Sequence, residues 1–259
     1  MPDGPLLAIP VFNEEAHLDR VLRCANRYIP EILVVDDGST DRTPEILRGY
    51  RDIHVITHAE NRGYGKSLAD AFAFARCRGY SWLVTMDCEE QHEPSCIPCF
   101  LEAARQDDAD IISGTRYPYG HIVDPSVPAD RREINRQITA MVNQRLGLNI
   151  TDAFCGFKAY RVSALAHFRI TVPGYAMPMQ FWVQAAPAGL RIRELPVRLI
   201  YNDPTRHFGG LLDDPAIRLQ HYLEVLETEL AVHPRVATPA TGVVSCTRSS
   251  SDSCSTFQS

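Results

Sequence analysis

The sequence has no excess of basic residues and no long apolar run, and each absence excludes a class of protein. Lysine and arginine number 26 against 32 aspartates and glutamates, which leaves a net charge of −6. Proteins that coat nucleic acid usually present a basic surface, so we expect no nucleic-acid partner. No apolar stretch approaches the roughly 18 to 20 residues that cross a bilayer, so we expect no transmembrane helix.

The amino terminus lacks the basic and apolar regions of a secretory signal peptide. Residues 1–4 read Met-Pro-Asp-Gly, with an acid where a signal peptide carries basic charge. We therefore expect a cytoplasmic protein, and peripheral attachment to a membrane surface stays open.

The 8 cysteines lack the paired spacing of a structural zinc site. The potential zinc ligands that crowd together are Cys88, His92, Cys96 and Cys99. Prolines interrupt this segment and no second CxxC pair follows, whereas structural zinc sites commonly use two separated pairs. Without an export signal or regular spacing, disulfides are also disfavoured. We expect reduced, partly buried thiols.

Apolar strands alternate with amphipathic helices through the first half of the chain. Predicted strands cover residues 6–12, 32–35, 53–56, 80–85 and 110–114. Between them, Asn13 is expected to cap a first helix, and further helices are predicted at 42–49, 67–78 and 94–106. This alternation predicts an α/β fold, with a Rossmann-like, mostly parallel sheet flanked by helices.

The second half has a more mixed pattern and ends in a polar tail. Predicted helices cover 131–148, 174–189 and 215–230, and predicted strands lie within 152–161 and 190–201. We predict one domain over residues 1–232 and a disordered Ser/Thr-rich tail over 233–259.

Polar clusters follow four successive predicted strands, at residues 13–14, 36–37, 61–66 and 87–92. In open α/β sheets, ligands bind at the carboxyl ends of the strands. Asp87 and Glu89 are two residues apart, so both carboxylates can reach one hard cation such as Mg²⁺. Taken alone, the last cluster is more typical of a solvated turn. Together the clusters favour a crevice for a nucleoside diphosphate and a divalent ion.

These motifs resemble family 2 glycosyltransferases with the GT-A fold. The resemblance rests on residues 10–15, 34–41, 61–63 and 86–92. Residues 114–117 and 152–160 resemble the dolichol- or polyprenyl-phosphate mannose synthase branch. The resemblance implies a nucleotide-sugar-binding half over residues 5–115 and a smaller, mixed acceptor-side half over residues 116–232.

The resemblance also implies roles for individual residues. A GDP- or UDP-linked sugar donor would contact Pro10, Phe12, Glu14, Asp36, Asp37, Asn61 and Lys66. Asp87 and Glu89 stand at DxD-like positions that coordinate Mg²⁺ or Mn²⁺, with Gln91 assisting. Basic positions that contact donor or lipid phosphate are matched by Arg116, Arg131 or Arg132, and Arg206.

The implied reaction is transfer of a hexose with inversion at the anomeric carbon. A lipid phosphate acceptor is already anionic, whereas a hydroxyl acceptor needs a base, for which Asp152 is the candidate. Two departures from the family pattern bear on the chemistry, the first on how the metal is held and the second on the acceptor. Glu89 replaces an aspartate, and Gln180 lies where relatives usually carry an acid. A missing acid favours the phosphate acceptor.

Two alternatives stay open, and other enzyme classes are disfavoured. The same donor chemistry can act on a sugar or small-molecule hydroxyl, and a degenerate domain can bind nucleotide sugar without turnover. A nucleotidyltransferase is disfavoured because residues 10–15 are acidic rather than basic and glycine-rich. Residues 63–66 match neither a Walker A loop nor a dinucleotide-binding motif, which disfavours nucleotide hydrolases and dehydrogenases.

Overall fold

The computed structural model describes residues 4–88, 94–118, 128–198 and 210–233. The strands in these ranges are β1 (Pro5–Val11), β2 (Ile32–Asp36), β3 (His54–Thr57), β4 (Trp82–Thr85), β5 (Ile111–Thr115), β6 (Lys158–Arg161) and β7 (Ile192–Pro196). They form one sheet in the order β3-β2-β1-β4-β6-β5-β7. Strands from both predicted halves therefore share a single sheet.

The sheet is mostly parallel, with β6 as the exception. β1 pairs in parallel with β2 and β4, β2 with β3, and β5 with β7. β6 runs antiparallel to both of its neighbours, β4 and β5, and Thr85 pairs with Lys158. The segment before β6 therefore enters the sheet at the edge where β4 ends.

Helices cover both faces of the sheet. They are α1 (Leu18–Ala25), α2 (Thr43–Arg48), α3 (Tyr64–Arg78), α4 (Ile97–Arg105), α5 (Ala129–Leu146), α6 (Met177–Ala185) and α7 (Pro215–Val232). In α1, the apolar residues at positions 18, 21, 22 and 25 share one face and are buried, as their spacing predicts. Within the described ranges, no helix is long and apolar enough to cross a membrane.

Two apolar cores lie on opposite faces of the sheet. Successive strand residues point to opposite faces, so Leu6 and Ala8 enter one core while Leu7 and Ile9 enter the other. The first core contains Trp182 from α6, and the second contains parts of α1 and α4. Burial on both faces explains why the central strands are almost continuously apolar.

Asn13 does not cap the first helix, so that prediction is wrong. Helix α1 begins at Leu18, and Asn13 has a left-handed backbone with φ of 57°. The Asn13 side-chain oxygen instead accepts hydrogen bonds from the backbone N–H groups of Thr40 at 2.8 Å and Asp41 at 3.4 Å. Local turn hydrogen bonding competes with helix capping for asparagine, and here it joins the loops after β1 and β2.

Candidate functional site

The carboxyl ends of β1, β2 and β4 bring several predicted site residues to one edge of the sheet. The loops after β1 and β2 are joined by a hydrogen bond from the Asn13 N–H to Ser39 Oγ at 2.9 Å. Phe12 is 42% exposed there, whereas Glu14 is buried. Pro10 is partly buried within β1. This edge therefore combines an exposed ring with a buried carboxylate.

Asp36 and Asp37 are both buried at the end of β2. Asp36 Oδ1 accepts a hydrogen bond from the Ser39 N–H at 3.0 Å, and Oδ2 has no hydrogen-bond partner within the described ranges. Asp37 instead fixes the loop after β3, since its carboxylate accepts the N–H groups of Arg62 at 2.9 Å and Gly63 at 2.7 Å. Asn61, the neighbouring predicted donor contact, is exposed.

A buried histidine links Asp37 to helix α3. His58 Nδ1 lies 2.5 Å from Asp37 Oδ1, and His58 Nε2 lies 2.8 Å from Asp70 Oδ2. The Lys66 ammonium also hydrogen-bonds Asp70, one turn along the helix. Burial works against ionisation of Asp70, but the hydrogen bonds from Lys66 and His58 lower its pKa. The Lys66 ammonium, predicted to bind substrate, is thus part of the hydrogen-bond network of Asp37, His58 and Asp70.

Asp87 follows the end of β4 by two residues and lies close to Tyr64 and Gly156. Burial, together with the negative charge of the nearby Asp87 carboxylate, raises the pKa of Tyr64. A Cβ added to Gly156 would lie 2.6 Å from Asp87 Oδ1 and 2.8 Å from Cγ. The carboxylate therefore occupies space that only glycine leaves open.

Arg116 and Asp152 form a buried ion pair close to the start of β6. Arg116 Nε lies 2.6 Å from Asp152 Oδ2, and Nη2 lies 2.8 Å from Oδ1. Asn135 Nδ2 donates to Oδ1 at 2.8 Å, and the Phe154 N–H donates to the same oxygen at 3.0 Å. Burial opposes ionisation of Asp152, but the Arg116 charge outweighs it and holds the carboxyl pKa well below its usual range.

This geometry favours a role in which Asp152 orients Arg116. It does not favour the predicted role of Asp152 as a general base. A general base needs an accessible oxygen and a pKa near the working pH, and Asp152 is fully buried with a lowered pKa. Glu194 holds the backbone of residues 151–152 in place, because its carboxylate accepts the N–H groups of Thr151 at 2.8 Å and Asp152 at 3.2 Å.

Sequence reasoning missed Lys158, Tyr64 and His58. Lys158 is buried at the start of β6, where its ammonium donates to the Cys155 carbonyl and lies 5.4 Å from the Trp182 ring centroid. Burial lowers the pKa of Lys158. Only its place in the motif 152–160 gave a signal in the sequence.

Of the three predicted metal ligands, the described ranges include Asp87 alone. Asp87 offers carboxylate oxygens at the end of a buried strand, and carboxylates are preferred ligands of Mg²⁺ and Mn²⁺. Glu89, Gln91 and Arg206 lie outside the described residues. Inside the described ranges, no group of three or more His, Cys, Asp or Glu side chains is arranged to hold a metal.

Three further predictions concern Arg131, the cysteines and the carboxyl-terminal tail. Arg131 lies on α5 and is partly buried. None of the six cysteines within the described ranges forms a disulfide, and His92, considered as a zinc ligand, lies outside those ranges. The predicted tail likewise falls beyond them after residue 233.

Comparison with known proteins matches this chain to one family model and to relatives whose names agree with it. Residues 7–169 match the family model described as Glycosyl transferase family 2. An undecaprenyl-phosphate mannosyltransferase from Micrococcus luteus is 30% identical over 228 residues, which cover 84% of this chain and 93% of the relative. A polyprenol monophosphomannose synthase from Mycolicibacterium smegmatis is 29% identical over 202 residues, covering 74% and 76% respectively.

The fold is also similar to that of solved GT-A glycosyltransferases. A crystal structure of S. aureus TarS 1–349 in complex with UDP-GlcNAc superposes with a TM-score of 0.59 at 18% identity. The match covers 90% of this chain and 68% of that chain. The match to another crystal structure of S. aureus TarS 1–349 covers 74% of this chain and 58% of that chain. The predicted GT-A fold is therefore confirmed.

Proposed function

The chain belongs to glycosyl transferase family 2 and is a glycosyltransferase, and we propose that its acceptor is a polyprenyl or dolichyl phosphate. The donor would be a GDP- or UDP-linked hexose, transferred with inversion at the anomeric carbon. The observation that carries the proposal is the pairing of two features at one sheet edge. Asp87 is suited to a metal-bound diphosphate, and Arg116, held by Asp152, is suited to a phosphate.

The donor half of the site would use the edge formed by β1 and β2. Glu14, Asp36 and Asn61 provide oxygens for the base and ribose, and the exposed ring of Phe12 provides an apolar contact. Asp37 would act mainly through the loop that it fixes, because Arg62 and Gly63 occupy its oxygens. Nucleotide selectivity would then depend on that loop.

Asp87, with Glu89 and Gln91, would hold Mg²⁺ or Mn²⁺ against the donor diphosphate. The ion supplies charge neutralisation for the leaving diphosphate. Asp152 accepts one N–H from Nε and one from Nη2 of Arg116, so the N–H groups of Nη1 and the second N–H of Nη2 are the donors left to contact a phosphate oxygen. Arg131 and Arg206 would add further positive charge for the donor or the lipid acceptor.

The state of Asp152 supports a phosphate acceptor over a hydroxyl acceptor. A phosphate monoester already carries negative charge near neutral pH, since its second pKa is about 6. It therefore needs no protein base, and the best candidate base is committed to Arg116. The names of the two relatives, an undecaprenyl-phosphate mannosyltransferase and a polyprenol monophosphomannose synthase, support the same choice. Such an acceptor lies in a membrane, which is compatible with peripheral attachment.

The test is a transfer assay with purified protein. GDP- and UDP-sugars are supplied with Mn²⁺ or Mg²⁺ and a detergent-dispersed polyprenyl phosphate, and labelled sugar in the organic phase is counted. Asp87→Ala should lower transfer by roughly 100-fold or more, as expected when charge stabilisation of the leaving group is lost. Asp52→Ala, an exposed acid before β3 at the other end of that strand, is the matched control.

Three results would contradict parts of the proposal. Asp87→Ala activity close to that of the wild type would rule out the metal role. Transfer to sugar hydroxyls but not to prenyl phosphate would overturn the acceptor. Binding of nucleotide sugar without diphosphate release under all conditions would favour a binding domain without turnover.

A further inference from the structure

We propose that Gly156 is a positioning residue for the Asp87 carboxylate, an inference that rests on the metal role given to Asp87 above. A Cβ at position 156 would lie 2.6 Å from Oδ1 and 2.8 Å from Cγ, and closer still to Oδ2. Carbon atoms in ordinary contact are about 3.5–4.0 Å apart. The backbone of Gly156 is not in the left-handed region. Space, rather than backbone conformation, therefore requires glycine here.

The backbone around Gly156 is held in place and cannot easily move away. Thr85 Oγ1 donates to the Gly156 carbonyl at 2.9 Å. The buried Lys158 ammonium donates to the Cys155 carbonyl, and Thr85 pairs with Lys158 across β4 and β6. These contacts tie residues 155–156 to β4, the strand that precedes Asp87.

Asp87 has a second neighbour on a supported segment. Its carboxylate lies near Tyr64, the first residue of α3, whose ring stacks on Tyr175 with centroids 6.0 Å apart. The start of α3 is fixed by a hydrogen bond from the Gly65 N–H to the Pro173 carbonyl at 2.6 Å. The neighbours of the carboxylate thus include a phenol and a glycine, each on a supported segment.

The turn with Gly156 also continues the chain from Asp152. That aspartate orients Arg116, so one short segment sets the positions of both the metal carboxylate and the phosphate-binding arginine. To reach normal contact with an added methyl group, the Asp87 carboxylate would have to move by about 1 Å. A displacement of that size can cost about 100-fold in rate at a reacting centre.

The first test is a stability cycle that needs no substrate. Gly156→Ala, Asp87→Ala and the double variant are unfolded in urea and followed by circular dichroism. Gly156→Ala should lower the urea midpoint in the wild-type background and have little effect in the Asp87→Ala background, where the atoms it would meet are gone. Gly174→Ala is the matched control, because a Cβ at Gly174 meets nothing within 4 Å.

The second test is Mn²⁺ binding in the presence of GDP or UDP, followed by the loss of the free-ion electron paramagnetic resonance signal. Gly156→Ala should weaken Mn²⁺ binding at least about 10-fold, the effect typical of residues that orient metal ligands. Gly174→Ala should bind as the wild type does. Catalytic turnover is not required for this measurement.

The outcomes separate the inference from the function on which it rests. Equal midpoint losses for Gly156→Ala in both backgrounds, or unchanged Mn²⁺ binding by this variant, would overturn the role of Gly156. Wild-type protein that binds no Mn²⁺ with either nucleotide would overturn the proposed metal-dependent function itself. If Gly156→Ala fails to fold, recovery of folding in the double variant supports the inference, and no recovery contradicts it.

Discussion

The Asp152 carboxylate accepts hydrogen bonds from two side chains and from two backbone groups, and all of these donors lie inside the protein. Arg116 supplies Nε, Nη2 and its own N–H, while Asn135 and Phe154 supply one donor each. Asp152 is fully buried and the Arg116 side chain is 17% exposed, so the Asp152 charge depends mainly on Arg116 for its stabilisation. A residue in this setting stabilises the site and directs Arg116 rather than exchanging protons.

Asp152→Asn should therefore destabilise the protein by roughly 3–5 kcal/mol, the usual cost of removing one partner from a buried ion pair. Urea unfolding at pH 7 measures the change. The control is Glu133→Gln, which breaks an exposed pair with Arg136 and should leave the midpoint nearly unchanged. A midpoint for Asp152→Asn equal to that of the control would contradict the structural role.

The same ion pair should make stability depend on pH in the acid range. Because Arg116 lowers the pKa of Asp152 in the folded state, the pair stabilises the fold above the ordinary aspartate value of 3.8. As pH falls below about 4, this stabilisation is progressively lost. The stability difference between the wild type and Asp152→Asn should thus be largest above about pH 5 and narrow steadily toward pH 2.

At the scale of elements, Gln180 joins α6 to α7 and to the segment before α6. Its side-chain oxygen accepts the N–H groups of Thr171 at 2.7 Å and Val172 at 3.0 Å. Its amide nitrogen donates to Glu229 on α7 at 2.6 Å. The sequence predicted Gln180 to be a departure from an acidic family position. In this structure the Gln180 amide has a carboxylate, that of Glu229, as its neighbour.

Gln180→Glu should destabilise the protein, because two carboxylates would then share one buried site and one of them would have to take up a proton. The reciprocal double variant, Gln180→Glu with Glu229→Gln, restores one amide donor and one carboxylate acceptor. Thermal unfolding should show a lowered midpoint for the single variant and recovery for the double variant. A double variant as unstable as the single one would contradict this pairing.

At the scale of the whole molecule, the sheet is most deeply buried at its centre. All residues of β2 and β4 are buried, whereas β3 alternates between partial burial and exposure and β7 contains no fully buried residue. Local opening is easiest where few apolar groups are buried and backbone hydrogen bonds meet solvent. The two edge strands are therefore the weakest parts of the sheet.

Amide hydrogen exchange followed by mass spectrometry should show this gradient. Peptides that cover β1, β2 and β4 should exchange slowest, and those that cover β3 or β7 should exchange measurably faster under the same conditions. Equal protection of β3 and β1 would show that burial does not set local stability here.

The overall fold and half of the site follow from local sequence patterns. Apolar strands with polar ends located Asp37 and Asp87 correctly at the sheet edge, because parallel strands share that edge. The family assignment made from these motifs is also confirmed. Contacts between segments that are distant along the chain could not be predicted from the sequence. Gly156 and Lys158 matter because β6 inserts antiparallel beside β4, and no periodicity in the sequence shows which strands become neighbours.

The insertion of β6 also has a consequence for the order of folding. Thr85 and Lys158 pair across a long stretch of chain, and closing such a loop costs entropy before any contact is gained. The first strands can pair through much shorter connections. The place where Asp87 meets Gly156 is therefore completed only when both halves of the chain have come together, so we expect the site to form late in folding.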